Sequence, residues 1–172
     1  NFGSFSTTVR ASVGANNGNK ISKNQNFFIN DFGNKYMNKS LKYINSKIEY
    51  IRILKGTNFD YFFEQSIKEL ISKEFIVSKL SDRMGMRLQG PIIKNIKETN
   101  IRSEGLTKGV IQVPADGNPI IMLSDHGTIG GYPKIGAVIS ADYDRLAQTP
   151  SRKKIKFKLI ELKEAEKLYK LY

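Results

Sequence analysis

The chain has 172 residues, 40% of them hydrophobic and 26% charged, with no cysteine and one histidine. That length can bury a core for one domain, and the composition is globular rather than disordered. The absent cysteines exclude a disulfide scaffold, a thiol nucleophile and a cysteine-ligated metal, and a lone histidine excludes a histidine cluster, so no metal is expected.

In chain order, the opening NFGSFSTTVR has no methionine and reads as the middle of a longer polypeptide. FSTTVRASV (5–13) alternates β-branched and polar residues and predicts a strand, the candidate open edge of a truncated sheet. KIEYIRIL (47–54) predicts another. TNFDYFFEQSIKELISKEF (57–75) spaces Phe62, Phe63, Ile67, Leu70 and Ile71 as a helix does, with Asn58 or Asp60 as its cap. EFIVSKL (74–80), VIQVP (110–114), PIIML (119–123), IGAVIS (135–140) and KIKFKLI (154–160) are short apolar strands with Gly or Pro between many of them. ADYDRLAQ (141–148) and ELKEAEKLYKLY (161–172) predict helices. Many short strands without a βαβ rhythm give a mainly β fold, a closed or partly closed barrel with a few short helices.

The net charge of +12 raises nucleic acid as a partner. The densest basic run, RKKIKFK (152–158), alternates charge with Ile155 and Phe157, the pattern of a strand with one solvated face. A nucleic-acid platform needs several exposed aromatics among its cations, so no nucleic-acid partner is expected. No run of about eighteen apolar residues and no basic-then-apolar opening is present, which predicts a cytoplasmic protein with no membrane partner.

Three polar islands interrupt the apolar runs. In SDRMGMRLQGP (81–91), Arg83 and Arg87 share a face in either a strand or a helix, with Asp82 and Gln89 close by. They read either as a surface ion pair beside a Gly-Pro turn or as a clamp for an anion. In IQVPADGNPI (111–120), Asp116-Gly117 signals a hairpin, and Gln112 points away from Ile111 and Val113 with an amide that both donates and accepts. SDHGTIGGYPKIG (124–136) is either an ordinary tight loop or the lip of a site.

These islands together resemble a known family. SDRMGMRLQGP, SEGLTKGVIQVPADGNPIIMLSDHGTIGGYP and VISADYDRLAQ are similar to the carboxyltransferase subdomain known as allophanate hydrolase subunit 2, which includes the C subunit of 5-oxoprolinase and part of urea carboxylase. The likeness runs over essentially the whole chain, read as the C-terminal portion of a longer family chain. GSFSTTVRASVG (3–14) resembles the family's GSRST element with Phe5 in the arginine position, and TPSRKKIKF departs at a turn. The resemblance implies a cyclophilin-like β-barrel, and the chain, with no nucleotide-binding motif and no cysteine or histidine cluster, is expected to be inactive alone. Its active site is shared with a sister subunit of the allophanate hydrolase subunit 1 type, beside a further 5-oxoprolinase subunit. In the oxoprolinase version ATP activates the lactam carbonyl of 5-oxo-L-proline and water opens the ring to L-glutamate. In the alternative, a urea carboxylase module takes a carboxyl group from biotin. A third branch is a non-catalytic regulator that binds a kinase inhibitor. The sequence has no GxxxxGK[ST] loop and no lysine between methionines, so ATP and biotin would come with partners.

On this reading Gly130 and Gly131 let the backbone approach a ligand. Asp125 orients a substrate N–H or a water, Gln112 reads an amide or lactam, and both are the catalytic candidates. Arg83, Arg87 and Gln89 are candidate substrate contacts, Tyr132 hydrogen-bonds or stacks, and Lys134 neutralises a carboxylate. His126 is read as a surface residue. Arg83, Gln112, Asp125 and Tyr132 are expected to line one concave surface.

Overall fold

The apolar runs become strands wherever a second strand can take up their backbone groups, and among the described residues the first expected strand pairs with no other strand. The structure, a computed structural model, describes residues 6–28 and 49–171, in two units that divide after Tyr43. Among the described residues of the first unit, Val9–Ala11 and Asn16–Gly18 are single 3-10 turns, and Thr8 and Val13 pair as an isolated bridge. The expected strand at 5–13 is therefore corrected to a turn. Ser12 at φ 51° and Gly14 at φ 113° reverse the chain there, and left-handed residues cannot continue a strand. Phe5 lies outside the described residues, as do the first two residues of the strand expected at 47–54.

The second unit holds ten strands, three α-helices and the 3-10 turn Phe59–Tyr61 among the described residues. The strands are β1 (Ile51–Lys55), β2 (Phe75–Val77), β3 (Gly85–Gln89), β4 (Glu104–Gly105), β5 (Val110–Gln112), β6 (Ile120–Met122), β7 (Ile129–Gly130), β8 (Lys134–Val138), β9 (Lys154–Ile155) and β10 (Phe157–Leu159). The helices are α1 (Glu64–Ser72), α2 (Ser140–Ala147) and α3 (Leu162–Leu171). Eight strands form one sheet in the order β10-β1-β8-β5-β6-β3-β2-β9, and β4 pairs with β7 in a separate ribbon. The expected mainly β barrel forms, and it is nearly closed.

Closure is accomplished by one short segment. KIKFKLI, expected as a single strand, divides at Lys156. Ile155 pairs with Phe75 on β2, while Phe157 pairs with Ile51 on β1. The two margins of the sheet thus belong to nearly consecutive residues. Phe75 and Phe157 meet with ring centroids 5.7 Å apart, and both are fully buried. Burying one such ring contributes about 2–3 kcal/mol. The core around them takes Ile53, Leu88, Ile111, Ile121 and Ile135 from neighbouring strands, with Leu70 of α1.

The helix expected over 57–75 is shortened to α1. Phe62 is extended and bridges Asn95, and the Phe63 N–H donates to the Lys94 carbonyl at 3.3 Å. Pairing with 94–95 takes the backbone that the first helical turns would use, so neither Asn58 nor Asp60 is the cap. α2 and α3 pack around Ile139, Ala141, Ile160 and Ala165. The hairpin expected at Asp116-Gly117 joins β5 to β6, with Gly117 at φ 73° and its N–H bonded to the Pro114 carbonyl. Among the described residues no helix is long and apolar enough to cross a membrane.

Candidate functional site

Register places several of the singled-out residues in one row. Arg87 on β3 is opposite Ile120 on β6, Ile120 is opposite Gln112 on β5, and Gln112 is opposite Lys134 on β8. Paired residues put their side chains on the same face of a sheet, and adjacent strands lie about 4.8 Å apart, so the row spans roughly 14 Å. Its face is the one turned away from Met86, Leu88, Ile111 and Ile121, which fill the core. Gln89, two residues from Arg87, shares it. The β5–β8 register slips between Ile111 and Gln112, which keeps Ile135 in the core and still sets Lys134 beside Gln112. Bulges re-aim side chains in this way.

The β4–β7 ribbon covers the Gln112–Lys134 end of the row. Gln112 is buried, and its Nε2 donates to the Tyr132 carbonyl at 3.1 Å. Gly130 lies flat on the Gln112 amide. A Cβ there would sit 2.8 Å from Nε2 and 3.1 Å from Oε1, so the absence of a side chain is what lets the amide fit. A Cβ on Gly131 would stand 3.1 Å from the Ile101 carbonyl, and the Gly131 carbonyl accepts the Ile101 N–H at 2.9 Å. The Tyr132 ring is partly exposed.

Lys134 is a buried cation, its side chain 6% exposed, and Nζ is paired with the Glu104 carboxylate on β4. Asn58, buried beside it, holds the Lys134 backbone from both sides. Its Oδ1 accepts the Lys134 N–H at 3.0 Å, and its own N–H donates to the Lys134 carbonyl at 3.2 Å. An ammonium, a primary amide and a glycine ledge on one covered face form a site that can recognise a small amide and a negative charge together.

Arg83 and Asp125 are elsewhere. They flank Gly85 and Met122, which pair at the end of β6 remote from Gln112. β6 alone separates the two ends by about 7 Å. Arg83 Nε and Nη2 bind the two Asp125 oxygens at 2.7 and 3.0 Å, a bidentate fork. The hydrogen bonds from Arg83, with its charge, hold the Asp125 carboxyl below its ordinary range against the opposing effect of burial. Gln112 and Tyr132 are therefore brought together, and Arg83 and Asp125 are brought to each other. His126 turns its Nδ1 to the Gly127 carbonyl at 2.6 Å.

Two residues of the covered site escaped the sequence reading. Glu104 sits in SEGLTKG with no apolar period around it, and nothing local announces a partner thirty residues on. Asn58 reads as a helix cap because Asn is a frequent cap. Its buried role exists only because β8 passes beside it.

A family model for the carboxyltransferase domain, subdomain A and B, matches residues 1–159. The chain belongs to that family. Among curated proteins, it is 41% identical over 117 residues to the C subunit of the Escherichia coli K12 5-oxoprolinase, covering 68% of this chain and 38% of the relative. It is 39% identical over 118 residues to the C subunit of the Haemophilus influenzae 5-oxoprolinase, again spanning 38% of that protein's length. The barrel superposes on the Kluyveromyces lactis urea amidolyase with a TM-score of 0.67 at 23% identity, covering 70% of this chain and 8% of that one. The urea carboxylase of the same organism gives the same score over 12% of its chain. At that identity the likeness shows the fold alone.

Proposed function

We propose that this chain is part of the C subunit of a 5-oxoprolinase, which opens 5-oxo-L-proline to L-glutamate together with partner subunits and with hydrolysis of ATP. The observation that carries the reading is identity of about 40% to two proteins of that name. The covered site supports it. Gln112 presents a donor and an acceptor to a lactam, and Lys134 presents a cation to the neighbouring carboxylate. Arg87 and Gln89 extend the same face, with Gly130, Gly131 and Tyr132 as its ledge. Asp125, kept ionised by Arg83, is the candidate for orienting a water or an N–H from the far end of β6.

With no phosphate-binding loop in the sequence, ATP is assigned to the partners, a sister subunit of the allophanate hydrolase subunit 1 type and a further 5-oxoprolinase subunit. The isolated chain is then without hydrolase activity. The test is ATP-dependent glutamate formation from 5-oxo-L-proline by the chain assembled with those partners. Turnover by the assembly and none by the chain alone is expected. A biotin-dependent carboxylation of urea by the assembly overturns the reading in favour of the carboxylase alternative.

A further inference from the structure

Among the described lysines Lys134 is unusual because its ammonium is buried and answered by a carboxylate that is not. Glu104 is 44% exposed against 6% for Lys134. It stands on a strand of two residues, Glu104–Gly105, which among the described residues pairs with Ile129–Gly130 alone. Backbone bonds from Ile101 N–H to the Gly131 carbonyl and from Leu106 N–H to the Thr128 carbonyl, each 2.9 Å, fasten its two ends. This short ribbon is what lies over Gln112. Beneath it the Gln112 amide gives one N–H to Tyr132, and its Oε1 takes no hydrogen bond among the described residues.

Stripping the carboxylate from a buried ammonium is costly, because the charge is left without partner or water. Exchanging one carboxylate for another is not, since the ammonium stays paired throughout. We infer that Glu104 holds on Lys134 the place of a ligand carboxylate, and that the β4–β7 ribbon opens when such a ligand takes that place. The inference rests on the proposed function for its ligand and deepens it. The site then selects an amide that carries its own carboxylate and resists a neutral amide, which cannot relieve Glu104 of Lys134. Gln112 and Lys134 face each other across adjacent strands with Cβ atoms about 5 Å apart. That separation suits a lactam whose carboxylate is attached beside the ring nitrogen. Urea, neutral and without a carboxylate, has nothing to offer Lys134.

The test compares 5-oxo-L-proline with 2-pyrrolidinone, the same lactam without the carboxylate, on the chain assembled with its partner subunits. By titration calorimetry Glu104→Gln removes the internal competitor, so 5-oxo-L-proline is expected to bind about tenfold tighter or more, as when a closed state no longer competes with binding. Binding of 2-pyrrolidinone is expected to stay weak. Unchanged or weakened binding of 5-oxo-L-proline by a folded Glu104→Gln protein overturns the inference. Should that variant fail to fold, the wild-type assembly carries the test by amide exchange. Saturating 5-oxo-L-proline is expected to lower protection of Ile101, Leu106 and Ile129, and 2-pyrrolidinone to leave it unchanged. Equal effects of the two ligands, or none, overturn it. Glutamate formation without carboxylate discrimination sinks the exchange and leaves the proposed function standing. Carboxylate discrimination without glutamate formation does the reverse.

Discussion

Two arginine–aspartate pairs in this barrel use the same fork and do different work. Arg52 on β1 binds Asp142 on α2 through its backbone N–H and Nε at 2.8 Å each and Nη2 at 2.5 Å, and Asp142 is completely buried. Arg83 binds Asp125 with equal directness, yet its side chain is 79% exposed. In the first pair the carboxylate is sealed from water and the guanidinium is partly exposed, whereas water competes for both members of the second. The buried pair ties the first strand of the barrel to the helix after β8. The exposed pair ties the segment before β3 to the segment after β6, and neither partner depends on the other for solvation.

The largest expected effect comes from removing one buried partner. Asp142→Ala is expected to destabilise the protein by about 3 kcal/mol in urea unfolding, because the Arg52 guanidinium and backbone N–H lose the buried carboxylate that accepts from them. Replacing both residues, as Arg52→Met with Asp142→Leu, is expected to recover most of that loss, since an apolar pair of similar volume is near neutral. A double variant as unstable as Asp142→Ala would mean that packing against α2, and not the uncompensated charge, sets the cost.

Acid sharpens the same point. Burial pushes the Asp142 carboxyl up, but the hydrogen bonds and charge of Arg52, with Arg145, outweigh it and hold the group below its ordinary range. A carboxyl depressed on folding contributes stability that is fully present above its unfolded value of about 3.9 and is lost as pH falls through the lower folded value. Wild type is therefore expected to lose stability in acid below about pH 4, and Asp142→Ala to lose less over the same range. Parallel pH profiles for the two proteins would assign the acid sensitivity to other carboxylates.

A smaller effect separates buried dipoles from exposed charges. Asn58→Ala leaves the Lys134 N–H without its Oδ1 acceptor and is expected to cost about 1–3 kcal/mol by thermal or urea unfolding. Arg83→Ala is expected to leave the unfolding midpoint unmoved. In that variant a carbon-detected NMR titration should find the Asp125 carboxyl returned upward toward the ordinary range. A clear loss of stability from Arg83→Ala would erase the distinction drawn between the two pairs.

How much of this was legible before the fold was known depends on how far apart the partners lie in sequence. Period and punctuation located β1, β2, β5, β6, β8, α2 and α3 and the Asp116-Gly117 hairpin, because these follow from residues within a few positions of one another. The same local reading extended a strand through 5–13, where Ser12 and Gly14 turn back, and a helix through Phe62 and Phe63, whose backbone the 94–95 segment claims. It also gave KIKFKLI one strand where the barrel needs two. Of the site, Gln112, Gly130, Tyr132 and Lys134 stood out as polar or flexible residues inside apolar sequence, and the fold gathers them. Asp125 and Arg83 stood out for the same reason, and the fold pairs them elsewhere.

Composition, alternation and motif are local properties of the chain, and they were enough to establish the mainly β class, the family and the short list of polar residues. The burial of Lys134, its pairing with Glu104 and the grip of Asn58 on its backbone became visible only in the folded barrel. Those facts are contacts across 30 and 76 positions. They depend on which strands lie side by side and on a one-residue slip between Ile111 and Gln112, and no local pattern encodes either.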